Sequence, residues 1–75
     1  MREVLMSATL KIQLNGEDKD VAQGASVRQL LETLGIDVKR IAVEVNREVI
    51  RRKDHDTHVL NDGDVVEIVT FVGGG

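Results

Sequence analysis

From Ala8 onward the chain alternates cleanly, with Leu10, Ile12 and Leu14 pointing one way and Thr9, Lys11 and Gln13 the other. That period of two predicts a strand with one buried face. Asn15-Gly16 follows as a two-residue hairpin turn, where both residues must accept positive φ, and Glu17 to Val21 reads as a polar return strand near a sheet edge. The period then changes. Ser26 and Gln29 form the S-x-x-Q capping box of a helix start, and Val27, Leu30, Leu31 and Leu34 recur at helical spacing as one apolar stripe. Gly35 stands where a left-handed C-cap is expected. Ile41, Val43 and Val45 alternate with Ala42, Glu44 and Asn46 as a third strand, and Asn46-Arg47 turns into a short apolar step, Val49-Ile50. An irregular charged loop from Arg51 to Thr57 precedes Val59-Leu60, which re-enters the core. Asn61-Asp62-Gly63-Asp64 makes a tight turn and Val65 to Val72 is the last strand. Along it Val66 and Ile68 share one face, and Val65, Glu67, Val69 and Phe71 the other. Met1 to Met6 shows no clear period.

The order strand, strand, helix, strand, short strand, strand predicts an α+β fold. Four to five strands form one mixed sheet, with a single short helix covering one face. We divide the chain into a leader or edge segment (1–7), a folded body (8–72) and a flexible glycine tail (73–75). Seventy-five residues make one domain near the lower size limit for folding without staples. No cysteine supplies a disulfide or thiolate metal site, and Phe71 is the one aromatic residue, so the core must be aliphatic. So small a core leaves little room for a buried active site.

The formal net charge of −3 and a pI near 5.2 argue against nucleic acid as a partner, since phosphate binding calls for a basic face. Arg51-Arg52-Lys53 is offset at once by Asp54 and Asp56. No stretch is long or apolar enough for a membrane span or secretory signal, so a cytoplasmic location is expected. His55-Asp56-Thr57-His58 has ligand types for zinc but lacks an evident fourth ligand and a rigid scaffold. A polar surface loop with no metal is the reading here. Asp62 and Asp64 flank Gly63 and read as turn residues bonding nearby amides, not as paired catalytic carboxylates.

The remaining chemistry lies in Gly73-Gly74-Gly75. Without Cβ atoms these residues can lie extended in a narrow channel and present a carboxyl carbon open to a nucleophile. At roughly 3.3–3.6 Å per residue, the segment from Val72 to Gly75 reaches roughly 12 Å beyond the sheet. The body would then dock at the channel rim through Val69, Phe71 and Val72. Phe71 either anchors a partner or closes the end of the small core. The chain holds no phosphate-binding glycine loop, so any nucleotide chemistry belongs to another protein.

Several segments together resemble a known family. They are the strand ending Leu14-Asn15-Gly16, the helix Val27-Arg28-Gln29-Leu30-Leu31 with Leu34, and Ala42-Val43-Glu44-Val45-Asn46. To these are added the run from Leu60-Asn61-Asp62-Gly63-Asp64 through Val69 and the terminal Val72-Gly73-Gly74-Gly75. The resemblance is to the ThiS sulfur carrier proteins of thiamine biosynthesis and runs from about Ala8 to the end. It implies a β-grasp, or ubiquitin-like, fold with the first and last strands adjacent at the centre of the sheet. It also implies a carrier rather than an enzyme. An adenylating partner of the ThiF type, using ATP and Mg²⁺, would activate the Gly75 carboxylate. A persulfide donor would convert it to a thiocarboxylate, and a thiazole synthase of the ThiG type would consume the sulfur. Gly74 would be the companion that fits the partner's channel, and Gly73 an extra beyond the family's diglycine. Carriers for molybdopterin, tRNA thiolation or amino-acid synthesis share this layout, as do ubiquitin-like protein modifiers. A plain interaction module with an incidental tail is the third class. Shortness and the Val-Glu-Val-Asn strand favour the thiamine branch.

Overall fold

The computed structural model describes residues 8–71. The expected leader at 1–7, Val72 and the glycine tail lie outside the described residues. Strand β1 (Thr9–Leu14) turns at Asn15 and Gly16, with φ of 50° and 86°, into antiparallel β2 (Glu17–Ala22). Helix α1 (Val27–Leu34) starts with the capping box in place. Ser26 Oγ accepts from the Gln29 amide at 3.1 Å, and the Ser26 amide donates to Gln29 Oε1 at 2.9 Å. Gly35, at φ 70°, ends it by donating to the carbonyls of Leu31 and Glu32. Eight residues are too few to hold a helix alone in water. The stripe Val27, Leu30 and Leu31, buried against the sheet, supplies the stability.

A short 3₁₀ turn (Val38–Arg40) leads into β3 (Ile41–Val45). Asn46 and Arg47, both at positive φ (53° and 71°), close the hairpin to β4 (Glu48–Ile50). Beyond it come a second 3₁₀ turn (Arg52–Asp54) and β5 (Val65–Thr70). The strands lie in the order β2-β1-β5-β3-β4, with β5 parallel to β1 and antiparallel to β3. First and last strands are therefore neighbours inside a mixed sheet that packs on one helix, the β-grasp arrangement. Ile12, Val43, Val66 and Leu60 meet the helix stripe to form the core, which leaves the other face of the sheet open.

Two local expectations change. The loop from Arg51 onward contains a 3₁₀ turn instead of being irregular throughout, with the Asp54 amide bonded to the Arg51 carbonyl at 2.8 Å. Of the pair Val59-Leu60, Leu60 alone enters the core. Val59 forms a bridge with Ser26 and stays exposed, because adjacent residues of an extended segment point opposite ways.

Candidate functional site: the open sheet face at the end of the last strand

The position of β5 is set from both sides by asparagine side chains. As β1 ends, the Asn15 amide donates to the Val66 carbonyl at 2.9 Å. The Asn15 side chain then stands in for the missing strand, its Oδ1 accepting from the Ile68 amide at 2.8 Å and its Nδ2 donating to the Ile68 carbonyl at 3.3 Å. On the other side Asn46 Oδ1 accepts from the Val65 amide at 2.9 Å while its Nδ2 donates to Asp64 Oδ1 at 3.0 Å. Asp64 is buried, and its second oxygen accepts from the Asn61 amide at 2.8 Å. Asp62 Oδ1 accepts from the Lys11 amide at 3.0 Å, and the Gly63 amide donates to the Lys11 carbonyl at 2.8 Å. Both aspartates thus do turn work, as their sequence context indicated. They also lock the start of β5 to β1 and to the β3–β4 hairpin.

The far end of β5 is held differently. β1 pairs with β5 only at Gln13–Val65 and Leu14–Val66, so β5 runs on past it with β3 as its flanking strand. The last bond described is the Phe71 amide to the Arg40 carbonyl, at 2.7 Å. Odd-numbered residues of β5 turn their backbone groups to β3, so those of Thr70 face the side that β1 has left. Among the described residues no strand meets Thr70 there. The described part of β5 therefore ends in a partly unpaired strand end.

The outward side chains of that end are apolar. Val69 and Phe71 are 51% and 56% exposed, and Val65 and Val49 are also exposed. Val66, fully buried, and half-buried Ile68 face the helix. Of the residues assigned to partner docking, the fold thus brings Val69 and Phe71 together on the open face. Val72, Gly73, Gly74 and the terminal Gly75 lie outside the described residues. Phe71 is too exposed to be closing the core. The register on the same face joins residues that no single strand reveals: Glu44 of β3 stands directly opposite Glu67 of β5, with Val49 on the other side of Glu44. Each was legible as outward-facing from its own strand, but only the register of strands distant in sequence makes them a pair.

The histidine loop requires a correction. His55 belongs to the interior, at 6% exposure, instead of a polar surface loop. Its Nε2 lies 3.1 Å from the Ile50 carbonyl, which can only accept, so the ring carries its proton there. The His55 carbonyl in turn accepts from the Arg28 amide at 2.9 Å. The 3₁₀ turn tucks the ring beneath the end of β4, which loop polarity alone does not reveal. Nearby, Arg28 donates to Asp56 at 2.9 Å and Glu32 at 3.0 Å. Hydrogen bonds to Asp56 first and Glu32 second hold its guanidinium pKa above the ordinary value. Among the described residues no three histidine, aspartate or glutamate side chains gather as a metal site would need. No helix among them is long and apolar enough to cross a membrane. A cleft of about 490 Å³ between β2 and α1, bordered by Lys19, Gln29 and Glu32, lies on the helix side of the sheet.

The sheet order, the single helix and the terminal strand running out beside an apolar open face define the ubiquitin-like β-grasp class. The sequence profile of the ThiS family matches residues 12–75. The chain belongs to the ThiS family of ubiquitin-like sulfur carriers. The sulfur carrier protein ThiS of Bacillus subtilis is 40% identical over 85% of this chain and 98% of its own length. The crystal structure of the thiamine biosynthesis protein ThiS from Geobacter metallireducens superposes with a TM-score of 0.77. Its identity is 35%, over 88% of this chain and all of that one. A thiazole synthase of Paramagnetospirillum magneticum is 39% identical over 88% of this chain, yet the chain spans only 20% of that protein's length.

Proposed function

We propose that this protein carries sulfur for thiazole formation on the carboxyl group of Gly75. The observation that carries the reading is the family match, which continues through the glycine tail to residue 75. The exposed Val69 and Phe71 on the strand leading into the tail support it. So does the thiazole synthase relative, which joins a segment like this one to a much longer polypeptide.

The chemistry follows from the group. A carboxylate resists nucleophiles because its charge repels them and its oxygen leaves badly. Attack by the Gly75 carboxylate on the α-phosphate of ATP, in a ThiF-type partner using Mg²⁺, forms an acyl-adenylate and releases pyrophosphate. The terminal sulfur of a persulfide then attacks the acyl carbon and expels AMP. A second thiol cleaves the resulting acyl disulfide, leaving the thiocarboxylate on Gly75 and a disulfide between the two thiols. Splitting the transfer in this way keeps each step easy, and covalent attachment holds the sulfide where a ThiG-type synthase can use it. The folded body presents the tail, and its partners supply catalysis.

Intact mass after incubation with the host's adenylating enzyme, ATP and a persulfide donor tests the reading. One oxygen replaced by sulfur is expected, and the shift should vanish when Gly75 is removed. An unchanged mass under all conditions, or a heavier lysine-linked adduct in its place, would refute it.

A further inference from the structure

Among the described residues the side chains of the opposed glutamates on the open face enter no ion pair. Glu44 and Glu67 are directly paired across β3 and β5, where like charges destabilise a sheet. None of the ion pairs among the described residues involves either one; the arginine and lysine pairs formed there go to Asp20, Glu32, Asp54 and Asp56. Valines flank them: Val49 stands beside Glu44, and Val65 and Val69 lie on either side of Glu67 along β5. Two carboxylates in an aliphatic frame suit a guanidinium, whose planar fork can reach both acceptors while its methylene stem lies on the valines.

We propose that the Glu44–Glu67 pair seats a basic side chain, preferably arginine, of the thiazole synthase that receives the sulfur, and so sets which proteins the carrier can dock. The proposal rests on the sulfur-carrier reading above. Two arguments select the synthase. The face is continuous with Phe71, four residues before Gly75 in the sequence, so a protein that admits the tail into its active site also covers this face. Two thiazole synthases also contain a segment 39% identical to this chain within their own length, which places such a segment and the synthase in one polypeptide. Glu67 precedes Gly75 by eight residues. The Glu67 backbone therefore lies no more than about 29 Å along the chain from the residue that takes up sulfur.

Glu44→Gln, Glu67→Gln and the double variant keep the shape of the face and remove its charge. Affinity for the purified thiazole synthase of the same host would be measured by calorimetry at low and high salt, and Tm by thermal unfolding. The wild-type protein should bind, more weakly as salt rises. The double variant should bind about tenfold or more weakly at low salt, lose most of the salt dependence, and unfold at an equal or higher temperature. Glu44→Lys with Glu67→Lys should abolish binding. Rescue by reversing the charge of one arginine or lysine on the synthase would identify the partner residue. Equal affinity of wild type and double variant would overturn the proposal, as would failure of the wild-type protein to bind the synthase. Self-association of the wild type that the variants lose would also overturn it, by assigning the face to a second copy. Thiocarboxylate formation, read separately by mass, shows whether the carrier reading itself stands in each case.

Discussion

Replacing Phe71 by alanine separates docking from folding, because the side chain is covered only in part. At 56% exposure, less than half of the residue is shielded by the fold. Full burial of a phenylalanine side chain stabilises by about 1.5–3 kcal/mol, so its share in the free protein is about 0.7–1.3 kcal/mol. A phenylalanine in a core would cost about 3–5 kcal/mol on truncation. For a domain of this size each kcal/mol moves Tm by about 4–8 °C. Phe71→Ala should therefore lower Tm by no more than about 10 °C. Docking has the remaining exposed surface to gain, about 1–1.5 kcal/mol, close to one decade in affinity. The assay is the rate of thiocarboxylate formation with the host's adenylating enzyme, followed by mass at varied carrier concentration. KM should rise about tenfold with kcat little changed, since the lost contact acts on binding rather than on the activated carboxyl. A Tm drop of about 15 °C or more would return Phe71 to the core. Unchanged KM would remove it from the docking surface.

Core and turn positions should behave in the opposite sense. Leu31→Ala, at a fully buried position of the helix stripe, should cost about 2–5 kcal/mol in urea unfolding, and a loss under 1 kcal/mol would contradict the packing described. Arg47 adopts φ 71° in the β3–β4 turn, where a side chain costs about 1–2 kcal/mol. Arg47→Gly makes the favoured Asn-Gly turn and should raise stability by about 0.5–1 kcal/mol after the greater chain entropy of glycine is counted; a lower Tm would show that Arg47 makes a contact worth more than its strain.

Much of this fold was legible because its signals are local. The turn at Asn15-Gly16, the Ser26–Gln29 box, the Gly35 cap and the alternation of β1, β3 and β5 each depend on residues within a few positions of one another. The arrangement of first and last strands came from element order and family likeness. The apolar outward side of β5 followed from parity, which placed Val69 and Phe71 opposite Val66 and Ile68. The inward position of His55 is illegible in the sequence for the converse reason. Its burial depends on a 3₁₀ turn and on the end of β4, and nothing in a run of charged residues signals that one ring turns inward.

By itself the sequence determined which segments become strands or helix, which face of each is buried, and that a glycine tail follows the last strand. Backbone preference and side-chain period act over a few residues, so these features needed no partner. Tertiary structure alone decided the contacts between distant positions: Asn15 completing the edge of β5 53 residues away, Asn46 holding Asp64, and Glu44 brought opposite Glu67. Strand register sets those meetings, and register arises from how the sheet packs on α1 as a whole. The charged pair on the open face is therefore a property of the folded sheet and of neither strand alone.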